Sequence, residues 1–312
     1  MIAWLFPGQG AQRPGMLHEL CQLSGGADTL REAERVLGCA VRDDAATLAA
    51  TLGAQRALAI AGVASARALR AGGVVANAVA GHSVGAFAAA VAADVLAFAD
   101  ALRLVDARAR AMALAFSSGF GMGAIGGFTE SAVRALATEF ATPSEPLYAA
   151  NVNARDQVAL SGARAALERA LAAASARGAR TARLLDVAVP SHTPLMDDVA
   201  QTLARAFAGV PVGNASCWYA TNCDGRLVRE ADVIRRDLIA SVARPVRWAD
   251  ATQALAERGV TLFIESLPGS VLADLATVAY PDARAVALAN VGLRSALALA
   301  ARNEPARRPD IA

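Results

Sequence analysis

The sequence predicts an α/β protein. A large domain on a parallel sheet carries a nucleophile elbow and is interrupted by a small α+β subdomain. Three observations carry this. The apolar runs Ile2–Phe6 and Val74–Ala80 read as short strands buried on both faces. The second leads into Gly81-His82-Ser83-Val84-Gly85 and then into an Ala-rich helix, the strand–turn–helix context of an elbow. The stretch 118–189 reads βαββαβ, the split βαβ pattern. The large part, 1–117 and 190–312, is therefore expected to be α/β-hydrolase-like, and 118–189 a ferredoxin-like insertion.

The elements follow in order. Pro7-Gly8 stops the first strand. Helices are expected over Ala27–Leu37 and Gln55–Ala71, the second from the spacing of Leu58, Val63, Ala66 and Leu69. After the elbow come helices over 84–93 and 101–115. The texture changes at Ser117-Ser118-Gly119. Strands are expected at Met122–Gly127, Leu147–Asn151, Gln157–Ser161 and Thr181–Val189, with helices Glu130–Phe140 and Ala163–Arg177 between them. The large domain resumes at Pro190 with helices Pro194–Phe207, Asp232–Ala240 and Trp248–Arg258, the segment Cys217–Thr221 and the strand Thr261–Glu265. The tail after Asn303 is polar and broken by proline, so it is expected to fray.

Composition narrows the function. Of 312 residues, 30 are Lys or Arg and 28 are Asp or Glu, a net charge of +2, too balanced for nucleic acid or an anionic membrane as the main partner. A hydrophobic share of 55% rules out disorder, and the excess is alanine rather than aromatic. The apolar stretch 74–105 is interrupted by Asn77, His82, Asp94, Asp100 and Arg103, so no membrane span is expected. The start has no basic region and breaks at Pro7, unlike a signal peptide. Cys21, Cys39, Cys217 and Cys223 lack CxxC spacing and do not cluster with His18, His82 or His192. They read as buried thiols of a cytoplasmic protein, with neither a zinc site nor a disulfide framework.

Ser83 is the candidate nucleophile. Glycines two before and two after relieve crowding at a sharp turn, and the following helix N-terminus favours a developing oxyanion. The plain alternative is a structural tight turn. A serine needs a base. His82 adjoins Ser83 and should point elsewhere, and His18 lies in an early polar helix. His192, just past a strand end in Val189-Pro190-Ser191-His192, remains by elimination. Asp156 and Asp186 are the candidate triad acids, but neither follows a convincing large-domain strand, and a backbone carbonyl could orient the imidazole instead. Gly8 and Gly10 let the Gln9 backbone approach a ligand. A phosphate loop is the rival there, without GxxxxGK or GxGxxG spacing. Arg108 lies on a helix beside apolar residues, where a guanidinium is costly unless a carboxylate pairs with it. Arg103 and Arg110 read as a solvated face.

In one order the chain carries FPGQGAQ (6–12), QRAL (55–58), GHSVG (81–85), Arg108, GMGAI (121–125), NVNARDQVALSG (151–162), VPSH (189–192) and RPVRW (244–248). Over nearly its whole length it resembles the malonyl-CoA:acyl-carrier-protein transacylase family. Within that family it looks most like the acyltransferase (epsilon) subunit of malonate decarboxylase. The finer likeness rests on GHSVGAFAAAV, where Ala86 replaces an acidic or amide residue of many fatty-acid-synthesis members, and on Thr193-Pro194.

The resemblance implies Ser83 as nucleophile, His192 as base and Arg108 as clamp for the free malonyl carboxylate. It implies an oxyanion hole from the backbone N–H groups of Gln9 and Val84, with Gln55 and Asn153 lining the pocket. It also implies a main-chain carbonyl, at Ser241, accepting from the histidine. The activity implied is malonyl transfer from malonyl-CoA to the thiol of an acyl carrier protein, with no metal or tightly held cofactor. The acceptor would be the decarboxylase carrier subunit or, alternatively, a carrier of fatty acid or polyketide synthesis. A serine thioesterase or esterase is the rival enzyme, disfavoured by Arg108 and the missing triad acid. An inactive docking scaffold is the rival of another class, disfavoured by intact Ser83, His192 and Arg108.

Overall fold

A computed structural model describes residues 1–116 and 118–303. The tail after Asn303 expected to fray therefore lies outside the described residues, as does Ser117 at the expected boundary. Among the described residues ten strands form two sheets: β1 (Ile2–Phe6), β2 (Ala78–Gly81), β3 (Phe120–Gly126), β4 (Leu147–Ala154), β5 (Gln157–Ala163), β6 (Thr181–Leu184), β7 (Trp218–Ala220), β8 (Leu227–Val228), β9 (Leu262–Glu265) and β10 (Arg284–Ala287).

The larger sheet has the order β10-β9-β1-β2-β7-β8. It is parallel except for the antiparallel edge pair β7–β8. All five residues of β1 and all four of β2 are buried, as expected of strands covered by helices on both faces. Helices Thr51–Ala71, Gly85–Ala92 and Phe98–Ala115 pack together over this sheet. Gly62 lets the first two approach closely: a Cβ placed there would stand 2.7 Å from the Ala88 Cβ. β1 and β2 run in register to Phe6 opposite Gly81, so the loop carrying Gln9 and the turn carrying Ser83 leave the sheet side by side, tied by His82 N–H donating to the Phe6 carbonyl (2.9 Å).

The smaller sheet is antiparallel, in the order β4-β5-β3-β6, with helices Glu130–Phe140 and Arg164–Ala176 packed on it. It has its own apolar core, including Ile125, Val133, Leu160 and Leu167. Its edge strand β4 pairs with segment 245–248 ahead of helix Trp248–Glu257, where Val246 N–H donates to the Ala150 carbonyl (2.8 Å) and Val152 N–H to the Val246 carbonyl (2.9 Å).

Several boundaries differ from the sequence reading. The strand expected at Val74–Ala80 begins only at Ala78, because Val75 is 72% exposed and the chain is still approaching the sheet. The strand expected at Thr181–Val189 ends at Leu184, where the chain turns toward the site. Strand β10 and helices Val271–Ala279 and Leu288–Asn303 were not expected; β10 is a four-residue edge strand with little apolar signal. All four cysteines are free, but of the expected buried thiols only Cys217 is buried; Cys223 is half-buried, and Cys21 and Cys39 are exposed. Among the described residues no helix is long and apolar enough to cross a membrane.

Candidate active site

The elbow is built by close approach. A Cβ on Gly81 would stand 2.2 Å from the Ala86 nitrogen, and one on Gly85 would stand 2.2 Å from the Phe6 carbonyl oxygen. Only glycine fits at either position. The strain concentrates at Ser83, whose φ of 54° is left-handed, a conformation that L side chains seldom adopt. Helix Gly85–Ala92 follows at once, so Val84 stands at its N-terminus.

His192 Nε2 lies 2.8 Å from Ser83 Oγ, and His192 Nδ1 lies 2.5 Å from the Ser241 carbonyl oxygen. That carbonyl can only accept, so Nδ1 carries the proton and Nε2 is left to accept from the serine hydroxyl. His192 is 2% exposed. Burial first, and the Arg108 charge second, push its pKa down to about 3, so the ring is neutral. Neither acid considered from sequence serves it: Asp156 pairs with Arg180, and Asp186 is exposed. His82 borders the same cavity, but its Nε2 is engaged 3.0 Å from Asn153 Oδ1 and its ring is edge-on to Trp248. Histidine 18 is exposed in the short helix Met16–Leu20.

Arg108, 1% exposed, donates from Nη1 to Gln55 Oε1 (2.6 Å) and from Nη2 to Ser83 Oγ (3.2 Å). Its Nε has no partner among the described residues, and no carboxylate offsets its burial, which lowers its pKa to about 10. Arg103 and Arg110 instead make exposed ion pairs with Asp100 and Asp106.

Gln9, Gln55, Ser83, Arg108, Asn151 and His192 line one small cavity of about 50 Å³, closed by Met112, Met122, Leu185 and Val187. Gln55 Nε2 reaches Gln9 Oε1 (3.5 Å). Among the described residues neither the Gln9 nor the Val84 N–H is taken up by another group. Asn153 is the sequence-named residue placed differently. It binds His82 and lines a separate cleft of about 830 Å³, while Asn151 lines the serine cavity. Alternate residues of a regular strand share a face, but β4 has register irregularities between Ala149 and Asn151 and between Val152 and Ala154. Asn151 Oδ1 is buried with no hydrogen-bond partner among the described residues.

Sequence reasoning missed Asn222, whose carboxamide hydrogen-bonds the elbow backbone at Gly81 and Ser83. The only available signal was a polar residue just past the end of a short strand.

A serine hydroxyl against a neutral imidazole, with free backbone N–H groups beside it, is an arrangement able to carry acyl transfer. Residues 3–293 match the family described as the acyl transferase domain, and the chain belongs to that family: it is an acyltransferase. It is 36% identical over 282 residues to the malonyl CoA-acyl carrier protein transacylase of Escherichia coli strain K12, covering 88% of this chain and 91% of that one. Its fold superposes with a TM-score of 0.91 on the malonyl CoA-acyl carrier protein transacylase of Coxiella burnetii, at 33% identity over 96% of this chain and 97% of that one. A malonyl-transacylase solved in complex with its type II PKS acyl-carrier protein is similar at a TM-score of 0.89 and 33% identity, covering 97% of this chain and 99% of that one.

Proposed function

We propose that this protein transfers a malonyl group from malonyl-CoA to the thiol of an acyl carrier protein through a malonyl ester on Ser83. The observation that carries the reading is Arg108. A guanidinium at 1% exposure, with no carboxylate partner and within 3.2 Å of the serine oxygen, is a site waiting for an anion on the acyl group.

Ser83 Oγ attacks the thioester carbonyl as its proton passes to His192 Nε2. The C–S bond breaks, and that proton leaves on the CoA thiol. The carrier thiol then attacks the serine ester by the reverse path, giving its proton to His192 and returning Ser83 to the hydroxyl. The Ser241 carbonyl supports the imidazolium formed in each half. The Gln9 and Val84 N–H groups hold the oxyanion, each contributing about 3 kcal/mol. Gln55 orients Arg108. Arg108 also depresses His192. A bound malonyl carboxylate would neutralise that charge, leaving burial as the main cause that keeps His192 neutral. Every group these steps require is a side chain or backbone amide of this chain, so the proposal includes no metal or cofactor.

We read the larger unit as hydrolase-like, in two segments (1–117 and 190–312), and 118–189 as a ferredoxin-like unit closing over the serine. Free thiols are in keeping with a cytoplasmic enzyme. The transacylase relatives and the carrier-protein complex support a fatty acid or polyketide carrier as acceptor. A second reading, the carrier subunit of malonate decarboxylase, rests on Ala86, fully buried in the first turn after the nucleophile, and on Thr193-Pro194. Transfer to the two purified carriers, side by side, decides between them.

The test of the main reading is selectivity. Arg108→Ala should lower kcat/KM for malonyl-CoA by about 10²-fold or more while acetyl-CoA holds steady or improves, because the penalty of an unpaired arginine disappears. Arg108→Lys should recover only part, lacking the planar fork. Equal proportional losses for both substrates would make Arg108 structural and remove the dicarboxylate assignment.

A further inference from the structure

We propose that Asn222 is a positioning residue for the nucleophile: its carboxamide clamps Ser83 in the left-handed conformation that aims Oγ at His192. The inference rests on the reading of Ser83 as nucleophile.

Strands β2 and β7 pair in parallel as far as Ala80 and Ala220. Beyond that point the elbow turns away, and the Gly81 carbonyl and the Ser83 N–H have no ladder partner. Asn222, two residues past the end of β7, supplies both. Its Nδ2 donates to the Gly81 carbonyl (2.9 Å), and its Oδ1 accepts from the Ser83 N–H (2.9 Å). The orientation of the amide is fixed by these partners, since a carbonyl can only accept and an N–H can only donate. The two bonds fix the peptide planes on either side of His82, and so the approach to Ser83, while helix Gly85–Ala92 fixes the chain beyond it; with both sides held, relaxing Ser83 to negative φ would have to swing its N–H off Asn222 or displace the helix. Leaving either buried group unpaired would oppose that relaxation.

The clamp is itself held. Asn222 is 3% exposed, its N–H donates to both Asp237 oxygens (2.9 and 3.0 Å), and its carbonyl accepts from Arg247 N–H (2.7 Å). Asp237 also receives the Cys223 N–H (2.9 Å). A further consequence concerns the oxyanion. With the Ser83 N–H occupied by Asn222, the Val84 N–H is the free donor beside the serine.

The test compares Asn222→Ala with the isosteric Asn222→Asp in single-turnover malonylation followed by intact mass, together with KM and melting temperature. Asn222→Ala should slow malonylation by about 10²-fold, the scale of a misplaced reacting atom, with KM for malonyl-CoA within about twofold because Arg108 and Gln55 are untouched. Asn222→Asp offers both the donor and the acceptor only when protonated. Its rate relative to wild type should therefore rise as pH falls; the ionisable groups nearest residue 222 are Asp237, which accepts its N–H, and the adjoining Cys223. A rate for Asn222→Ala within threefold of wild type, or an Asn222→Asp deficit that does not change with pH, overturns the proposal. Loss of wild-type malonylation on Ser83 would instead fail the parent reading.

Discussion

Ser83 and His192, the proposed nucleophile and base, sit on two turns of the same unusual kind, and only one turn is written in the residues around it. Ser83 and His192 both have left-handed backbones, with φ of 54° and 65°. The serine turn is announced by Gly81 and Gly85, whose missing side chains are required by the backbone they touch. The histidine turn, Val189-Pro190-Ser191-His192-Thr193, contains no glycine. It is held from outside and from its own side chains. His192 N–H donates to the Val242 carbonyl (2.8 Å), Nδ1 to the Ser241 carbonyl, and Thr193 Oγ1 to the Pro190 carbonyl (2.8 Å). A strained conformation can thus be specified by local sterics or by distant partners, and a sequence displays the first far more readily.

The sharpest way to weigh the two turns is to remove the base. His192→Ala should slow acylation of Ser83 by about 10²–10⁴-fold, the range for a lost general base, while His18→Ala stays near wild type. Stopped-flow acylation giving the reverse ranking would break the assignment.

A smaller loss is expected from the elbow's sterics alone. In Gly85→Ala the new Cβ meets the Phe6 and Pro7 carbonyl oxygens, at 2.2 and 2.8 Å, so the loop carrying Gln9 must shift. Destabilisation of about 1–3 kcal/mol or more should accompany a fall in acylation rate. An unchanged melting temperature would mean that the glycine is dispensable there.

Thr193→Val tests the other turn by removing one buried hydroxyl bond. The expected cost is about 1 kcal/mol in stability with only a few-fold change in rate, because Val242 and Ser241 still hold the histidine. A loss as deep as that of His192→Ala would show that the turn depends on its own side chain.

The smallest expected effect is on rate as pH falls from 7 to 5. The pKa of His192 is held near 3, so the base stays neutral and acylation by the folded protein should be nearly flat. Stability should behave differently. The unfolded histidine binds a proton below about 6.5 and the folded one does not, so between those values falling pH favours unfolding by up to about 1.4 kcal/mol per pH unit. Single-turnover rates and melting temperatures across that range check both halves. An acid limb in the rate near pH 6.5 would mean that burial does not govern the histidine.

Much of this protein was legible in its residues because the controlling physics is local. The apolar run Ile2–Phe6 could only be a buried strand, Gly81 and Gly85 mark a backbone that tolerates no Cβ, and helix Glu130–Phe140 is read from its own pattern. What tertiary structure decided depends on partners far away in the chain. The orienting group for His192 is a carbonyl at Ser241, which carries no side-chain signature. The choice of Asn151 over Asn153 for the serine cavity follows from irregular pairing in β4. The clamp at Asn222 exists only because β7 ends beside the elbow. The sequence sets Arg108 apart by its apolar neighbours, but only packing buries it against Ser83 with no carboxylate among the described residues to pair it. Sequence sets the conformations that sterics alone can enforce; long-range packing sets which polar groups meet, and here those meetings build the site.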